Sequence, residues 1–320
     1  MPDIITVGSA TIDVFVYTEK AKLIWRKDKE FLAYPLGSKL LIDRICFSWG
    51  GGGTNTAVAI ARLGMKAGYF GCVGNDDNGS KIKKLLAAEK VAFLGKTRVG
   101  MSSYSVVLDS IAHDRTVLTY KGVNERLTKG DVPKTLACKW LYFSSLTGQS
   151  YAVLEKLVAY AKPRGIKIAF NPSTYLAEKG KAYLAKVLKA TDLLVLNKEE
   201  AGLIVGNSSI KEMLHKLSML GPATVVITDG PKGIYSFDGK DYYHAAAHNI
   251  RVVESTGAGD AFASTFLVSM IRTGSIVESL KWGMTNAESV IQHLGAKEKL
   301  LTPSELKREM KKRPVVVRKI

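Results

Sequence analysis

Glu254-Ser255-Thr256-Gly257-Ala258-Gly259-Asp260-Ala261-Phe262 is a turn of small residues that ends in a carboxylate and opens a long apolar segment. From Ala258 to about Ile271 nearly every side chain is small or apolar, the pattern of a helix buried on most sides and closed by Thr273-Gly274. The first amides of such a helix lack intrahelical acceptors and sit at the positive end of its dipole. Gly257, Ala258 and Gly259 are therefore a candidate anion site. Asp260 sets a carboxylate beside that anion, which is costly unless the carboxylate takes a proton from something. A phosphoryl group on the amides and an alcohol on Asp260 resolve the conflict, which is the chemistry of phosphoryl transfer to a hydroxyl. Taken alone, a Gly-x-Gly-Asp is more often a structural turn. A dinucleotide fingerprint would need a small residue where Phe262 stands, and nothing spells the Lys-Ser/Thr ending of a P-loop.

The elements that must carry this turn alternate along the chain. Ile4–Gly8 reads as a buried strand, and Thr54–Leu63 as a helix after the glycine run 50–53. Strands at Ala67–Val73, Trp140–Ser144, Ile166–Phe170, Leu193–Leu196 and Val225–Thr228 alternate with helices at Ser80–Glu89, Ser150–Ala161, Ala177–Lys189 and Lys198–Val205. A hairpin around Asp238-Gly239 leads to the Ala258 helix and then to a helix over Ser275–Leu294. Such alternation predicts an α/β fold with a mostly parallel central sheet and helices on both faces. Two stretches, about 14–48 and 97–120, revert to strand patterns and predict a small β-sheet lid on one domain spanning 1–320. Asp13, the 50–55 segment, Asn171, Asn197, Glu200, Thr228 and Asp260 all fall at or just beyond strand ends, where open α/β sheets bind ligands.

Composition narrows the class. The 320 residues carry a net charge of +17 and are 46% hydrophobic, with ample material for a core. No apolar run is long enough for a bilayer, and Met1-Pro2-Asp3-Ile4 enters a strand without a basic leader, so a cytoplasmic location is expected. Cys46, Cys72 and Cys138 read as reduced thiols. The positive charge suits anionic small molecules; with no recognised module or aromatic-interleaved basic stripe, nucleic acid is not the expected partner. From Lys297 to Ile320 nine Lys/Arg face three Glu, read as a solvated helix face after the capping box Thr302-Pro303-Ser304-Glu305. His244 and His248 have i, i+4 spacing, but Tyr242–Ile250 looks extended, which argues against a metal pair.

Five motifs in order now carry a resemblance: Gly50-Gly51-Gly52-Gly53-Thr54-Asn55-Thr56-Ala57, Gly71-Cys72-Val73-Gly74-Asn75-Asp76, Asn197-Lys198-Glu199-Glu200, Thr228-Asp229-Gly230-Pro231-Lys232-Gly233 and Thr256–Phe262. Over essentially its full length the chain resembles the ribokinase-like (PfkB) carbohydrate and nucleoside kinases. The resemblance implies the ribokinase-like three-layer fold and Asp260 as the base, with the Gly257, Ala258 and Gly259 amides as anion hole. It implies Asp13, Gly51, Asn55 and Asn171 on the acceptor, and Asn197, Thr228, Gly230, Gly233 and Asn286 on the nucleotide. Glu200 with Asn197 would hold Mg2+ through water, and ATP or ADP would be the donor; dependence on a monovalent cation is left open by Glu254, where many relatives have Asp. A homodimer through the β-lid is a further expectation. The chain departs from the family at Gly52, where a lysine is common, which removes a charge near the sugar. Ala169 and Ser173 replace acidic and arginine positions around Asn171-Pro172, which argues for an unphosphorylated acceptor unless Arg44, Lys121 or Arg115 compensates. Phe15, Phe47, Trp49 and Tyr104 give a slight lean to a nucleoside over a pentose-type sugar. A sugar-phosphate kinase, a nicotinamide-dependent oxidoreductase and a non-catalytic nucleotide-binding regulator are the alternatives.

Overall fold

Side chains in a strand alternate between faces, and here successive residues feed two different cores. Ile4, Tyr142, Leu193, Val195 and Val226 pack with the helices Gly52–Arg62, Ala258–Thr273 and Ile276–Ile291. Their neighbours Ile5, Leu141, Leu194, Leu196 and Val225 pack with Tyr151–Ala161, Gly180–Ala190 and Ile210–Ser218 on the opposite face. The computed structural model, which describes residues 1–27, 29–109 and 115–320, is thus a sheet between two helical layers. Burial on both faces explains why these strands read as continuous apolar runs.

The main sheet has ten strands. From one edge, Ala92–Phe93, Ala67–Phe70, Ile4–Val7, Trp140–Phe143, Lys167–Phe170, Leu193–Asn197 and Thr224–Thr228 are parallel. Ile234–Phe237, Tyr242–Ala245 and Val317–Lys319 then add an antiparallel edge. A separate sheet of four strands, in the order Arg115–Tyr120, Ser103–Asp109, Thr11–Tyr17, Arg44–Gly50, forms the lid. It begins at Thr11, a few residues before the expected start, and the hairpin Lys22–Arg26 with Lys29–Ala33 stands apart from it.

The Ala258 helix runs to Thr273, with left-handed Gly257 before it and left-handed Gly274 after it. Residues Ala261 to Ser269 are all buried, and Phe266 is fully enclosed, so Phe266→Ala would cost about 3–5 kcal/mol. Other boundaries shift. The strand expected over Ala67–Val73 divides at Gly71, and Cys72–Gly74 leaves the main sheet to pair with Lys96–Arg98. The helix expected over Ala177–Lys189 is two, Ser173–Ala177 and Gly180–Ala190, because the chain reverses at left-handed Gly180. Ile210–Ser218 is an additional helix, started by Ser209, whose hydroxyl accepts the Glu212 amide. Among the described residues no helix is long and apolar enough to cross a membrane.

Candidate active site

Strand order reverses direction between Ile4–Val7 and Trp140–Phe143, the crevice position where open α/β sheets bind ligands. Backbones crowd there: a Cβ on Gly8 would lie 2.7 Å from Ser144 Cβ and 3.0 Å from Gly53 Cα. Glycine at position 8 therefore lets the Gly52–Arg62 helix start against the sheet edge, with Ser9 O accepting the Gly53 and Thr54 amides. Gly51, expected on the acceptor, is accounted for by the same crowding. It is left-handed, and a Cβ on it would meet Ser9 O at 2.6 Å.

Asp260 lies in the first turn of its helix, facing a cavity of about 200 Å3 lined by Asn171, Asn197, Glu200, Thr228, Gly257 and Gly259. Asn55 Nδ2 donates to Asp260 Oδ2 at 2.8 Å. Burial pushes the Asp260 carboxyl above its usual range, while the Asn55 hydrogen bond and the nearby charge of Lys297 pull it back. Gly259 also opens onto a second cavity of about 670 Å3 that includes Thr228, Gly230, Gly233, Phe262, Met284 and Ala287. Gly259 thus sits where the two cavities meet, and a Cβ built on it would touch nothing. Gly257 differs: it is left-handed, and a Cβ would strike that of Ala296 at 2.3 Å. Of the three amides expected to bind an anion, that of Ala258 is already taken by Ser255 O at 3.2 Å. The turn therefore offers Gly257 and Gly259 to the cavities with Ala258 as its brace.

On the other side of Asp260 stands Asp13, 5% exposed and placed on the lid strand so that its carboxylate covers Gly50. Burial raises its carboxyl to about 6, Lys297 and a hydrogen bond from Ser105 opposing. Asn55 is 4% exposed and points at Asp260 rather than into open space. Asn171 lines the same small cavity as Asp260, Asn197 and Glu200, its Nδ2 donating to Val195 O at 2.8 Å. Asn286 is a correction. It is fully buried, donating to Thr265 Oγ1 and accepting from the Leu301 amide, while Met284, Ala287, Glu288 and Ile291 form the helix face that lines the larger cavity.

Asn197 and Glu200 form a capping box: Asn197 Oδ1 accepts the Glu200 amide at 2.8 Å, and Glu200 Oε2 accepts the Asn197 amide at 3.0 Å. Asn197 is thus the cap that precedes the Lys198–Val205 helix. Burial, opposed by these bonds and by Thr174, raises the Glu200 carboxyl, and the charge of Asp260 adds to the rise. Glu200 and the Asn171 and Asn197 amides bring hard oxygens to this cavity, and a divalent cation beside them would offset the repulsion that Glu200 feels from Asp260. The nearby Tyr142 hydroxyl, buried with no hydrogen-bond partner among the described residues, lies in the field of both carboxylates. The residues present fit Mg2+ held mainly through water, since Glu200 already has protein partners on both oxygens.

Other expectations resolve by placement. Register puts Phe47 opposite Val14 and Ser48 opposite Asp13, so Phe47 lies on the lid face away from Asp13. Phe15 is closed to solvent, and the Tyr104 hydroxyl meets Asn78. Arg44 stacks on Tyr17 and Lys121 on Tyr175, while the Arg115 side chain lies outside the described residues. Glu254 Oε1 closes the turn onto the Thr256 amide and hydroxyl. His244 and His248 have separate partners, Lys232 O and Glu288, and no group of three or more His, Cys, Asp and Glu among the described residues could hold a metal.

The residue that the sequence concealed is Lys297. Read as the start of a solvated basic tail, it is 5% exposed, with its ammonium on Trp49 O, Thr54 Oγ1 and Asn55 Oδ1. The cation thought missing at Gly52 therefore arrives from the other end of the chain. Its one local signal is Gly295-Ala296, a small pair that allows close approach to Ser48 and to Gly257.

The sequence profile of the pfkB family of carbohydrate kinases matches residues 1–303. The chain belongs to this family. Among curated relatives, a ribokinase of Haemophilus influenzae is 25% identical over 287 residues, covering 84% of this chain and 89% of the relative. An ATP-dependent 6-phosphofructokinase of Thermoanaerobacterium thermosaccharolyticum is 23% identical over 304 residues, covering 92% and 89%. The fold matches that of an E. coli protein described as a ribokinase II, solved with ATP and Mg2+, at a TM-score of 0.83 and 18% identity, covering 98% of this chain and 100% of the other. The pfkB membership makes the chain a carbohydrate kinase, a phosphotransferase acting on an alcohol group.

Proposed function

We propose that this kinase moves the terminal phosphoryl group of ATP to a hydroxymethyl group of an unphosphorylated pentose-type sugar or nucleoside, with Asp260 as base. The observation that carries the reading is Asp260 and the open Gly259 site side by side at one helix start, between a polar pocket and a larger cavity. Asp13 and Asn55 bind and orient the acceptor below the lid. Asp260 takes the hydroxyl proton as the oxygen attacks the terminal phosphorus, and the bond from that phosphorus to the bridging oxygen breaks, leaving the nucleoside diphosphate. The Gly259 and Gly257 amides meet the charge on the transferred group, where positioning and neutralisation do most of the catalysis. Thr228, Gly230 and Gly233 border the nucleotide, and Asn197 and Glu200 hold Mg2+, which when bound neutralises phosphate charge.

Between the two acceptors, the placement of Phe15 and Phe47 weakens the stacking argument for a base, and this supports the sugar. The phosphofructokinase relative keeps a phosphorylated acceptor as the alternative; Arg44, stacked on Tyr17 of the lid, and Lys121, stacked on Tyr175 of the Ser173–Ala177 helix, speak against it. The exposed apolar lid residues Ile45, Phe47 and Leu118 suit pairing of two copies, to be checked by light scattering of Phe47→Glu against the parent. A panel of sugars, nucleosides and sugar phosphates with ATP and ADP, read by product phosphate, tests the assignment. Transfer to free pentoses or nucleosides supports it. Activity confined to sugar phosphates, or ligand binding with no transfer, overturns it.

A further inference from the structure

The loop after the Ile276–Ile291 helix is fixed at several points and turns one side chain inward. Arg62 Nη1 donates to Lys297 O at 2.7 Å, while its Nε and Nη2 hold Glu89 at 3.0 and 2.6 Å. The Leu301 amide donates to Asn286 Oδ1 at 2.9 Å, and Ala296 packs on Gly257. Between these anchors Lys297 reaches the start of the Gly52–Arg62 helix. It donates to Trp49 O at 2.6 Å, to Thr54 Oγ1 at 3.2 Å and to Asn55 Oδ1. An ammonium has three protons, and three acceptors surround this one. Lys297 is therefore fully engaged with protein, and its influence on a reaction passes through what it touches.

Asn55 is what it touches. With the amide oxygen on the ammonium, Nδ2 is turned toward Asp260 Oδ2, 2.8 Å away. The flipped amide would set N–H against ammonium and oxygen against carboxylate, so the cation selects one orientation. The charged groups that act on Lys297 are Asp13 of the lid, Asp260 of its own helix, and Arg62 with Glu89 behind the loop. A single ammonium thus serves two buried carboxylates, and removing it leaves them facing each other.

We propose that Lys297 is a positioning residue for the transfer step, holding Asn55 turned toward Asp260 and supplying the positive charge that keeps Asp260 ionised. This rests on the reading of Asp260 as the base. Burial drives Lys297 down to about 8 and Asp13 up to about 6, while the attraction between ammonium and carboxylate opposes both shifts.

Two variants test it. Lys297→Met removes charge and donors; Lys297→Gln keeps a donor for Trp49 O or Asn55 Oδ1 and removes the charge. Both should lower kcat about 10–100-fold, the scale on which partners that orient a functional group act. The nucleotide KM should stay unchanged, and the acidic limb of the kcat profile should move up by about one unit. Folded variants with parental kcat, or with reduced kcat and an unmoved acidic limb, overturn the proposal. So does failure of both to fold, which would make Lys297 a structural residue only. Asp260→Asn, measured in parallel, separates the two ideas. An active Asp260→Asn enzyme sinks the base assignment itself, whereas an inactive one beside unaffected Lys297 variants sinks only the role of the lysine.

Discussion

Asp13, Asn55 and Lys297 come to Asp260 from three distant stretches of chain, each no more than 5% exposed and each engaged with another charged or polar group. Beyond Gly259 the larger cavity is walled mostly by glycines, backbone and apolar side chains such as Phe262, Met284 and Ala287, with the His248–Glu288 pair also in its wall. The first region works through a few buried charges whose geometry is over-determined; the second works through shape and unobstructed amides. A substitution on the acceptor side should therefore act on proton transfer and acceptor recognition. On the nucleotide side it should act by filling space.

The largest expected effect is at the junction. Asp260→Asn keeps the shape and the Asn55 contact region but cannot accept a proton, and kcat should fall about 10²–10⁴-fold. Calorimetry should show nucleotide binding retained; near-parental turnover in a folded variant would remove Asp260 from the chemistry. Asp13→Ala comes next. It should raise the acceptor KM about 10²-fold, as buried hydroxyls lose a charged partner, and leave the nucleotide KM alone. Equal changes in both constants would erase the distinction between the two regions.

Gly259→Ala and Gly257→Ala give a paired test on the nucleotide side. The first adds a methyl to empty space, so thermal melting should be unchanged while activity drops about 10²-fold, the scale of a disturbed oxyanion contact. The second forces a left-handed alanine into Ala296, and should lower the melting temperature as well, at a cost of about 1–2 kcal/mol from the backbone alone. A Gly259→Ala enzyme with full activity would mean that the anion lies elsewhere. A smaller shift is expected for Glu200→Gln: weaker apparent Mg2+ affinity by about tenfold, with the capping box kept and the acceptor KM unchanged.

The mildest probe is pH. Asp13 must be ionised to accept from the acceptor, and its carboxyl is raised to about 6; Lys297 must be protonated to hold Asn55, and its amine is lowered to about 8. The acceptor kcat/KM should rise as pH passes about 6 and fall as it passes about 8, a bell belonging to the coupled set of groups. Binding of nucleotide analogues should be nearly flat across that window. A flat acceptor profile would contradict the charge network.

What could be read from the chain was local. Small residues ahead of an apolar helix, Thr256 to Phe262, announce open amides because the reason, a helix start without side chains, lies within one turn. Strand and helix alternation gave the layers, since burial on both faces leaves continuous apolar runs. The capping box at Thr302 and Glu305 forms as its spacing requires. Tertiary structure decided which carboxylate meets which cation. Lys297 stands in a stretch whose charge pattern says solvent, and only the closure of its loop by Arg62 and Asn286 turns it inward. Asn286, Asn171 and Gly51, all expected near a ligand, take hydrogen bonds or close packing from partners that their local sequence does not name. Period and caps are set by bonds to residues a few positions away, so sequence determines them; a buried charge is set by partners up to 248 positions away, so only the folded chain does.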